Sequence, residues 1–297
     1  MKFLFLFVFF SQVSNAYEYN LTIATMFKDE APFLKEWIEY HKMMGVEHFR
    51  LYNNDSEDDF LNVLNPYIAN GDVTLIEWPS TKQNLTNWPY LIQWPACSDA
   101  INHFKGKSKW LALIDVDEFL HPLEDSDMTS FLKNYENYNG VVLSWQCFGT
   151  SNIDKIPEGK LMIEALTLKA GPKSEWNFPV KSIVRPELVD HHATAWPPHT
   201  YRYLSRSPAV FPDKRPRKDT KFAHQNRIYV EKAVLNHYVH RAEDYFWDVK
   251  IPKKRRMENG GIGFTEALIK RWHDECNLVE DTKIFRFLPS LRERMAK

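Results

Sequence analysis

Near residue 115, an acidic motif directly follows an apolar stretch of the chain. The residues 111–114 are apolar, and Asp115, Val116, Asp117 and Glu118 come next. On an extended chain, side chains two positions apart point to the same side, so Asp115 and Asp117 could reach one cation. A divalent cation held in this way binds phosphate oxygens and offsets the charge that develops on a leaving diphosphate. The alternative is that this acidic turn only caps a helix.

Two further polar clusters end other predicted strands. Asp29 and Glu30 follow the apolar, β-branched run 21–27, and the residues 53–55 follow the run 46–52. In doubly wound α/β proteins, the carboxyl ends of parallel strands meet at one edge of the sheet, where ligands bind. Three strands that deliver acids and amides to one edge therefore predict a site there.

The elements that must position these residues alternate along the first half of the chain. Predicted helices over 33–44, 60–68 and 96–104 separate predicted strands over 21–27, 46–52, 73–78 and 110–114. This alternation predicts an α/β fold with a mostly parallel sheet flanked by helices. The second half is more irregular: it has predicted strands at 141–148, 161–168 and 180–184, a loop-rich stretch over 195–221 and a helix over 243–250. Because no repeat or linker divides the chain, residues 17–297 are expected to form a single domain.

The first sixteen residues have the order of a secretory signal peptide. Lys2 precedes the apolar run Phe3–Phe10, and polar and small residues lead to Ala16, after which cleavage is expected. The apolar run is shorter than the roughly 20 residues that span a bilayer. A short uncleaved N-terminal anchor is the alternative. The signal predicts a location in the secretory pathway, in the Golgi or ER lumen, or outside the cell.

Composition narrows the classes of function. Of the 297 residues, 44% are hydrophobic, which is typical of a chain with a packed core. A net charge of -1 argues against a nucleic-acid-binding protein, because such proteins carry a basic excess. The chain has no glycine-rich phosphate loop, which disfavours a nucleotidyltransferase, the main rival among metal-dependent enzymes. The three cysteines, Cys97, Cys147 and Cys276, allow at most one internal disulfide.

Six segments, in the same order along the chain, resemble conserved blocks of family 92 glycosyltransferases, which are related to the family 2 enzymes. The metal motif of that family resembles Asp115–Phe119 with the strand before it. The other segments are 28–30 with 36–41, 45–56, 145–151, 181–186, and 235–238 with 243–246 and Lys250. The resemblance covers about Thr22 to Arg256. Asp29 departs from it, since an Asn is usual before the glutamate.

The resemblance implies a GT-A (Rossmann-like) fold whose irregular C-terminal half binds the acceptor. It also implies a metal-dependent, inverting hexosyltransferase of the EC 2.4.1 type. The donor would be a UDP-sugar, with galactose as the sugar, and the acceptor would be a hydroxyl of a glycan or glycoconjugate. Mn²⁺ or Mg²⁺ would be bound by Asp115 and Asp117, with Asp117 the firmer ligand.

Further residues take roles from the same resemblance. The donor-binding set would be Glu30, Asn53 and Asp55 near the nucleoside and Asp115, Lys250 and Arg255 near the diphosphate. His237 would be an additional metal ligand, because a neutral imidazole suits Mn²⁺. A buried histidine hydrogen-bonded near Tyr238 is the alternative for His237. A solvated basic helix end is the alternative for the run 250–256.

Inversion requires a carboxylate that accepts the proton of the acceptor hydroxyl. Glu175 and Asp244 are both candidates, and Glu175 is preferred because it stands beside Trp176. Trp145, Trp176 and Trp196 could stack on sugar rings, although a tryptophan more often belongs to a core. A secreted carbohydrate-binding protein, a catalytically inactive relative, is the non-enzyme alternative, and the intact acidic motif argues against it.

Three sequons, at Asn20, Asn54 and Asn84, could accept glycans in a eukaryotic secretory pathway. Asn54 falls in the block that the resemblance assigns to the nucleoside. A glycan on this residue would block the donor, so we expect Asn54 to be unmodified.

Overall fold

The computed structural model describes residues 16–80, 88–190, 196–217, 228–257 and 265–296. The predicted signal peptide, apart from Ala16, and the sequon at Asn84 lie outside these ranges. The strands are β1 (Tyr19–Phe27), β2 (His48–Asn53), β3 (Val73–Glu77), β4 (Ser108–Leu113), β5 (Glu118–Pro122), β6 (Gly140–Cys147), β7 (Leu168–Lys169), β8 (Val180–Val184), β9 (Ala233–His237) and β10 (Val279–Glu280). The helices are α1 (Ala31–Met43), α2 (Phe60–Ala69), α3 (Trp94–Phe104), α4 (Met128–Leu132), α5 (Met162–Ala165), α6 (Glu243–Tyr245), α7 (Ile251–Met257), α8 (Glu266–Glu275) and α9 (Leu288–Met295).

Eight of these strands form one mixed sheet in the order β3-β2-β1-β4-β8-β6-β9-β5. The strands β3, β2, β1 and β4 are parallel, and helical crossovers connect them as parallel pairing requires. Beyond β4, β8 is antiparallel to both of its neighbours, β9 is parallel to β6, and β5 is antiparallel to β9. The predicted α/β class, with a mostly parallel sheet flanked by helices and a more irregular second half, is confirmed.

Apolar side chains pack against both faces of the sheet. Along β4 and the residue after it, Leu111 and Leu113 belong to one apolar cluster, while Ala112 and Ile114 belong to the other. This alternation follows from the two-residue period of a strand, and it explains why the run reads as continuously apolar. α3 lies in the first cluster and α1 in the second. None of the helices in the described ranges is long and apolar enough to cross a bilayer.

α1 also connects distant parts of the chain through polar contacts. Trp37 Nε1 donates to the backbone oxygen of Glu118 at 2.9 Å, which ties the helix to β5. The buried Glu36 carboxylate accepts the backbone N–H groups of Met162 (2.8 Å) and Ile163 (3.0 Å). Burial raises the pKa of Glu36 to about 7, although these two donors oppose the shift.

The same contact explains an incorrect prediction. Residues 161–168 were expected to form a strand, but they form the short helix α5 followed by the start of β7. The first N–H groups of a helix have no partner within the helix. Glu36 accepts two of them from 126 or more positions away, so the apolar run can begin as a helix.

Candidate active site

The acidic motif lies in a tight turn between β4 and β5. The backbone N–H of Glu118 donates to the backbone oxygen of Asp115 at 3.0 Å. The extended chain assumed in the spacing argument is therefore wrong, and so is the alternative of a helix cap, since β5 begins at Glu118. As a result, the two aspartates contact different partners: Asp115 contacts Lys181, while Asp117 contacts His237 and Lys250.

Asp115 is positioned by a buried cation. Lys181 Nζ, from β8, lies 2.6 Å from Asp115 Oδ2 and 3.1 Å from Glu118 Oε2. The Lys181 and Glu118 side chains are 2% and 0% exposed, whereas that of Asp115 is 38% exposed. Burial raises the pKa of Glu118 to about 8, although Lys181 opposes the shift. Burial would lower the pKa of Lys181, but the two carboxylates raise it above its usual value.

Asp117 lies between a histidine and a lysine. Its Oδ1 is 3.3 Å from His237 Nε2, and its Oδ2 is 3.4 Å from Lys250 Nζ. Burial would raise the pKa of Asp117, but Lys250 and His237 hold it well below its usual range. Burial lowers the pKa of His237, against the effect of Asp117, so the imidazole is neutral near pH 7. The structure thus brings together three residues that the resemblance had singled out.

Asp117 and His237 fit a divalent cation. Ligand bonds of about 2.1 Å at right angles place two ligand atoms about 3 Å apart, close to the observed 3.3 Å. His237 Nδ1 lies 4.0 Å from Glu118 Oε1, and neither atom has a hydrogen-bond partner. A carboxylate behind the ring is the usual way in which a metal-binding histidine is oriented. Within the described ranges, no group of three or more His, Cys, Asp or Glu side chains is arranged to hold a metal ion.

Glu30 lies beside this cluster, paired with Arg241. Arg241 Nη2 donates to Glu30 Oε2. The guanidinium is fully buried and stacks on two rings, with its Cζ 3.7 Å from the centre of Phe33 and 4.5 Å from that of Tyr245. Burial raises the pKa of Glu30, although Arg241 opposes the shift. The predicted contact of Glu30 with a nucleoside stays a prediction.

Asn53 and Asp55 hold the loop that follows β2. Asn53 donates to Glu77 Oε2 at 2.8 Å and accepts the backbone N–H of Ser56 at 3.0 Å. Asp55 accepts the backbone N–H of Ser80 at 2.8 Å, and its own φ is +58°. Both side chains thus have protein partners, and their predicted role at the nucleoside stays a prediction.

A cleft opens at the carboxyl ends of β1, β2 and β4. Its lining includes Thr25, Met26, Tyr52, Gln93, Asp115 and Pro198. This is the sheet edge at which parallel strands are expected to bind ligands. Because Asp115 is part of the lining, the cleft reaches the acidic turn.

Three of the predicted site residues have partners away from the acidic turn. Glu175 forms an ion pair with Arg271, and Arg255 forms one with Glu266. Asp244 is exposed and accepts the backbone N–H of the next residue at 2.6 Å. In the described part of the chain, none of the three contacts Asp115 or Asp117.

The three candidate tryptophans differ in their surroundings. Trp145 packs against the imidazole of His237, with ring centres 4.1 Å apart, so it forms a wall of the site. Trp176 packs against Trp272 and donates to Glu275. Trp196 is 36% exposed and contacts the rings of Tyr90 and Trp94.

Sequence reasoning missed the roles of Lys181, Glu118 and Arg241. One signal was available for Lys181, which stands in the apolar strand Val180–Val184. A lysine in a buried strand needs a partner of opposite charge, and the acidic motif was the obvious one. Arg241 had no such signal, because its partner Glu30 is 211 positions away.

Comparisons with known proteins agree with the predicted family. A model of glycosyltransferase family 92 matches residues 17–277. A glycosyltransferase family 92 protein of Ricinus communis is 27% identical over 252 residues, which cover 78% of this chain and 37% of the relative. Galactan beta-1,4-galactosyltransferase GALS3 of Arabidopsis thaliana is 28% identical over 130 residues, which cover 42% of this chain and 25% of the relative. The aligned part of the chain thus spans 37% or less of the length of these relatives.

The structure also has a weak likeness to the crystal structure of S. aureus TarS 1-349 in complex with UDP. The TM-score is 0.37 and the identity 9%, over 86% of this chain and 69% of that chain. The family match over residues 17–277, together with the motifs in their expected order, means that the chain belongs to glycosyltransferase family 92.

Proposed function

We propose that this protein is a metal-dependent, inverting hexosyltransferase that uses a UDP-sugar and glycosylates a hydroxyl of a glycan or glycoconjugate. The observation that carries the proposal is the Asp117–His237 pair, with donor atoms 3.3 Å apart, next to Lys250. Galactose is proposed as the sugar, since one relative is a galactan beta-1,4-galactosyltransferase. The proposal includes the secretory pathway or the cell exterior as the location, supported by the signal-peptide order of residues 1–16.

The donor would lie along the cleft, with its nucleoside between the strand ends and its diphosphate at the acidic turn. Asp117 and His237 would hold Mn²⁺ or Mg²⁺, and Glu118 would orient the His237 ring. When bound, the ion would supply positive charge for the diphosphate as it leaves the sugar. The remaining ligand positions would be filled by Asp115, phosphate oxygens or water.

Lys250 would provide a second positive charge at the diphosphate. It contacts Asp117 Oδ2 at 3.4 Å, a distance at which it can turn toward a phosphate oxygen when the donor binds. Lys181 would hold Asp115 toward the cleft, because its ammonium contacts both Asp115 and Glu118. These two lysines thus have different tasks: one binds the donor and one orients a carboxylate.

The reaction forms a bond from the acceptor oxygen to the anomeric carbon and breaks the bond to the diphosphate. The proton of the acceptor hydroxyl passes to a carboxylate. Glu175 and Asp244 remain the proposed alternatives for this base. Glu175→Gln and Asp244→Asn separate them, because only the variant that lacks the base should lose transfer while keeping its donor affinity.

The proposal is tested by incubating the protein with a panel of nucleotide sugars and acceptors, with Mn²⁺ or with a chelator. We expect turnover of a UDP-sugar that requires the metal, is abolished by Asp117→Asn and persists in the control Glu280→Gln, an exposed acid on β10. NMR of the product should show inverted configuration at the anomeric carbon. Turnover that is indifferent to both chelator and Asp117→Asn would refute the metal assignment.

A second arm of the experiment addresses the carbohydrate-binding alternative. Calorimetry with glycans and with UDP distinguishes a transferase, which binds UDP in the presence of metal, from a lectin-like protein. Glycan binding without any metal-dependent UDP binding would favour the lectin-like alternative.

A further inference from the structure

Two buried cysteines from distant parts of the chain face each other. Cys147 ends β6 and Cys276 directly follows α8, 129 positions later. Their Sγ atoms are 3.4 Å apart, and the two residues are 2% and 0% exposed. A disulfide requires about 2.05 Å between the sulfurs, so an approach of roughly 1.4 Å brings them to bonding distance.

The third cysteine is in a different environment. Cys97, on α3, belongs to the apolar cluster that contains Leu111 and Leu113, where Tyr201 is its neighbour. Cys147 and Cys276 both belong to a third, smaller cluster, which also contains Phe246 and Trp272. Of the three pairings that three cysteines allow, only one joins residues of the same cluster.

We propose that Cys147 and Cys276 form a disulfide when the chain folds in an oxidising compartment, leaving Cys97 as a free thiol. The proposal is independent of the proposed glycosyl transfer and rests on the sulfur geometry and on the predicted secretory route. The oxidant is a disulfide, either oxidised glutathione or a disulfide oxidoreductase. One cysteine thiolate attacks it and releases a thiol, and the second then displaces the other half. The pair loses two electrons and two protons, and the oxidant is reduced to two thiols.

The bond would fasten α8 to the strands of the candidate active site. Cys147 stands opposite His237 in the register of β6 and β9. The segment after α8 already contacts the loop that follows β6, because Asn277 Oδ1 accepts the backbone N–H of Ser151 at 2.7 Å. A Cβ atom placed on Gly149 would lie 2.4 Å from the same Asn277 oxygen, so the neighbouring backbone and side chain are in tight contact.

The timing of the oxidation follows from burial. Burial raises the pKa of the Cys276 thiol, so the folded, reduced protein has little of the thiolate that attacks a disulfide. We therefore expect oxidation to occur while the chain folds. Oxidised glutathione should convert the pair readily during refolding, and much more slowly when it is added to folded, reduced protein.

The decisive experiment maps the thiols of the full chain after refolding in a glutathione redox buffer. The protein is alkylated in denaturant without reductant, digested and analysed by mass spectrometry. We expect one peptide pair linked through Cys147 and Cys276 and an alkylated Cys97. Alkylation of all three cysteines, or a linkage that involves Cys97, would overturn the proposal.

Thermal unfolding provides a second readout. Reduction should lower the melting temperature of the wild type by on the order of 10 °C, since the bond closes a loop of more than 100 residues. The matched control Cys97→Ala should keep both the linked peptide and the sensitivity to reductant, whereas the double variant C147A/C276A should lose that sensitivity. If the double variant does not fold, the wild-type peptide map decides alone, and loss or retention of transferase activity does not bear on the result.

Discussion

The buried Lys181 offers a quantitative test of the site's electrostatics. In Lys181→Met the ammonium is replaced by an apolar group of similar shape, and Asp115 and Glu118 both lose their contacts with it. Asp115 is 38% exposed and can regain water, whereas Glu118 is 0% exposed and cannot. The cost of the substitution should therefore depend on whether Glu118 carries a charge.

The protonation of Glu118 determines the size of the effect. The pKa of Glu118 is about 8, so at pH 6.5 the carboxyl is neutral and the loss is chiefly that of the Asp115 contact. That loss should be about 1–2 kcal/mol, because Asp115 is partly exposed. At pH 9 the wild type has ionised Glu118 beside Lys181, but the variant must keep the proton. At one pH unit above the wild-type pKa of Glu118, keeping this proton adds about 1.4 kcal/mol to the free-energy cost of the substitution.

Urea unfolding at pH 6.5 and pH 9 measures this difference. We expect Lys181→Met to be more destabilising at pH 9, and the increment to vanish when the same substitution is made in Glu118→Gln. An equal cost at both pH values, or an increment that survives in the Glu118→Gln background, would refute the assignment of a raised pKa to Glu118.

Three further predictions concern other parts of the molecule. His237→Gln should weaken Mn²⁺ binding, measured by calorimetry, by at least about tenfold, and unchanged affinity would exclude His237 as a ligand. Glu36 has a folded-state pKa of about 7 against 4.5 as its ordinary value. Its contribution to stability is therefore fully present below pH 4.5 and is lost as the pH rises to about 7. In Glu36→Gln, the free energy of unfolding measured in urea should lack the decrease of roughly 3 kcal/mol that this shift causes as the pH rises. An unchanged pH dependence of the free energy of unfolding would contradict the prediction. Asn54 is 4% exposed, donates to the backbone oxygen of Trp78 and accepts from Trp88 Nε1. Peptide mapping of protein from a eukaryotic secretory host should find Asn54 unmodified, while the exposed Asn20 remains accessible.

Local patterns were sufficient for the first half of the fold. β1, α1, β2, α2, β3, α3 and β4 were all predicted to within a few residues, because each has an uninterrupted apolar period and a clear turn at its end. The pairing of β5 with β9 was not predicted. β5 reads Glu-Phe-Leu-His-Pro, and its partner strand β9 lies more than 100 positions later in the chain. A local sequence pattern cannot identify a partner strand that is so distant in the chain.

The candidate site, like the fold, was predicted only in part. Asp117, His237 and Lys250 were named from motifs, and the structure brings them together. The extended geometry that was assumed for the acidic motif was wrong, since the motif is a turn and its two aspartates have separate partners. Glu175 was selected because it stands beside Trp176, and Asp244 because it follows the late histidine; no strand end supported either choice. Neither of these two acids contacts Asp115 or Asp117 in the described part of the chain, and the identity of the base stays a prediction.

The pairing of β5 with β9 sets the order in which the site can be assembled as the chain is made. Glu118 stands opposite His237, so the ribosome completes the acidic turn 119 residues before it adds His237. At about 5–20 residues per second, this interval is roughly 6–24 s. During that time β5 lacks its neighbour in the sheet, and Asp117 lacks both His237 and Lys250. A nascent chain therefore carries the acidic motif well before the residues that pair with it exist. If Asp117 and His237 hold the metal as proposed, a fragment that stops before Ala233 should bind none.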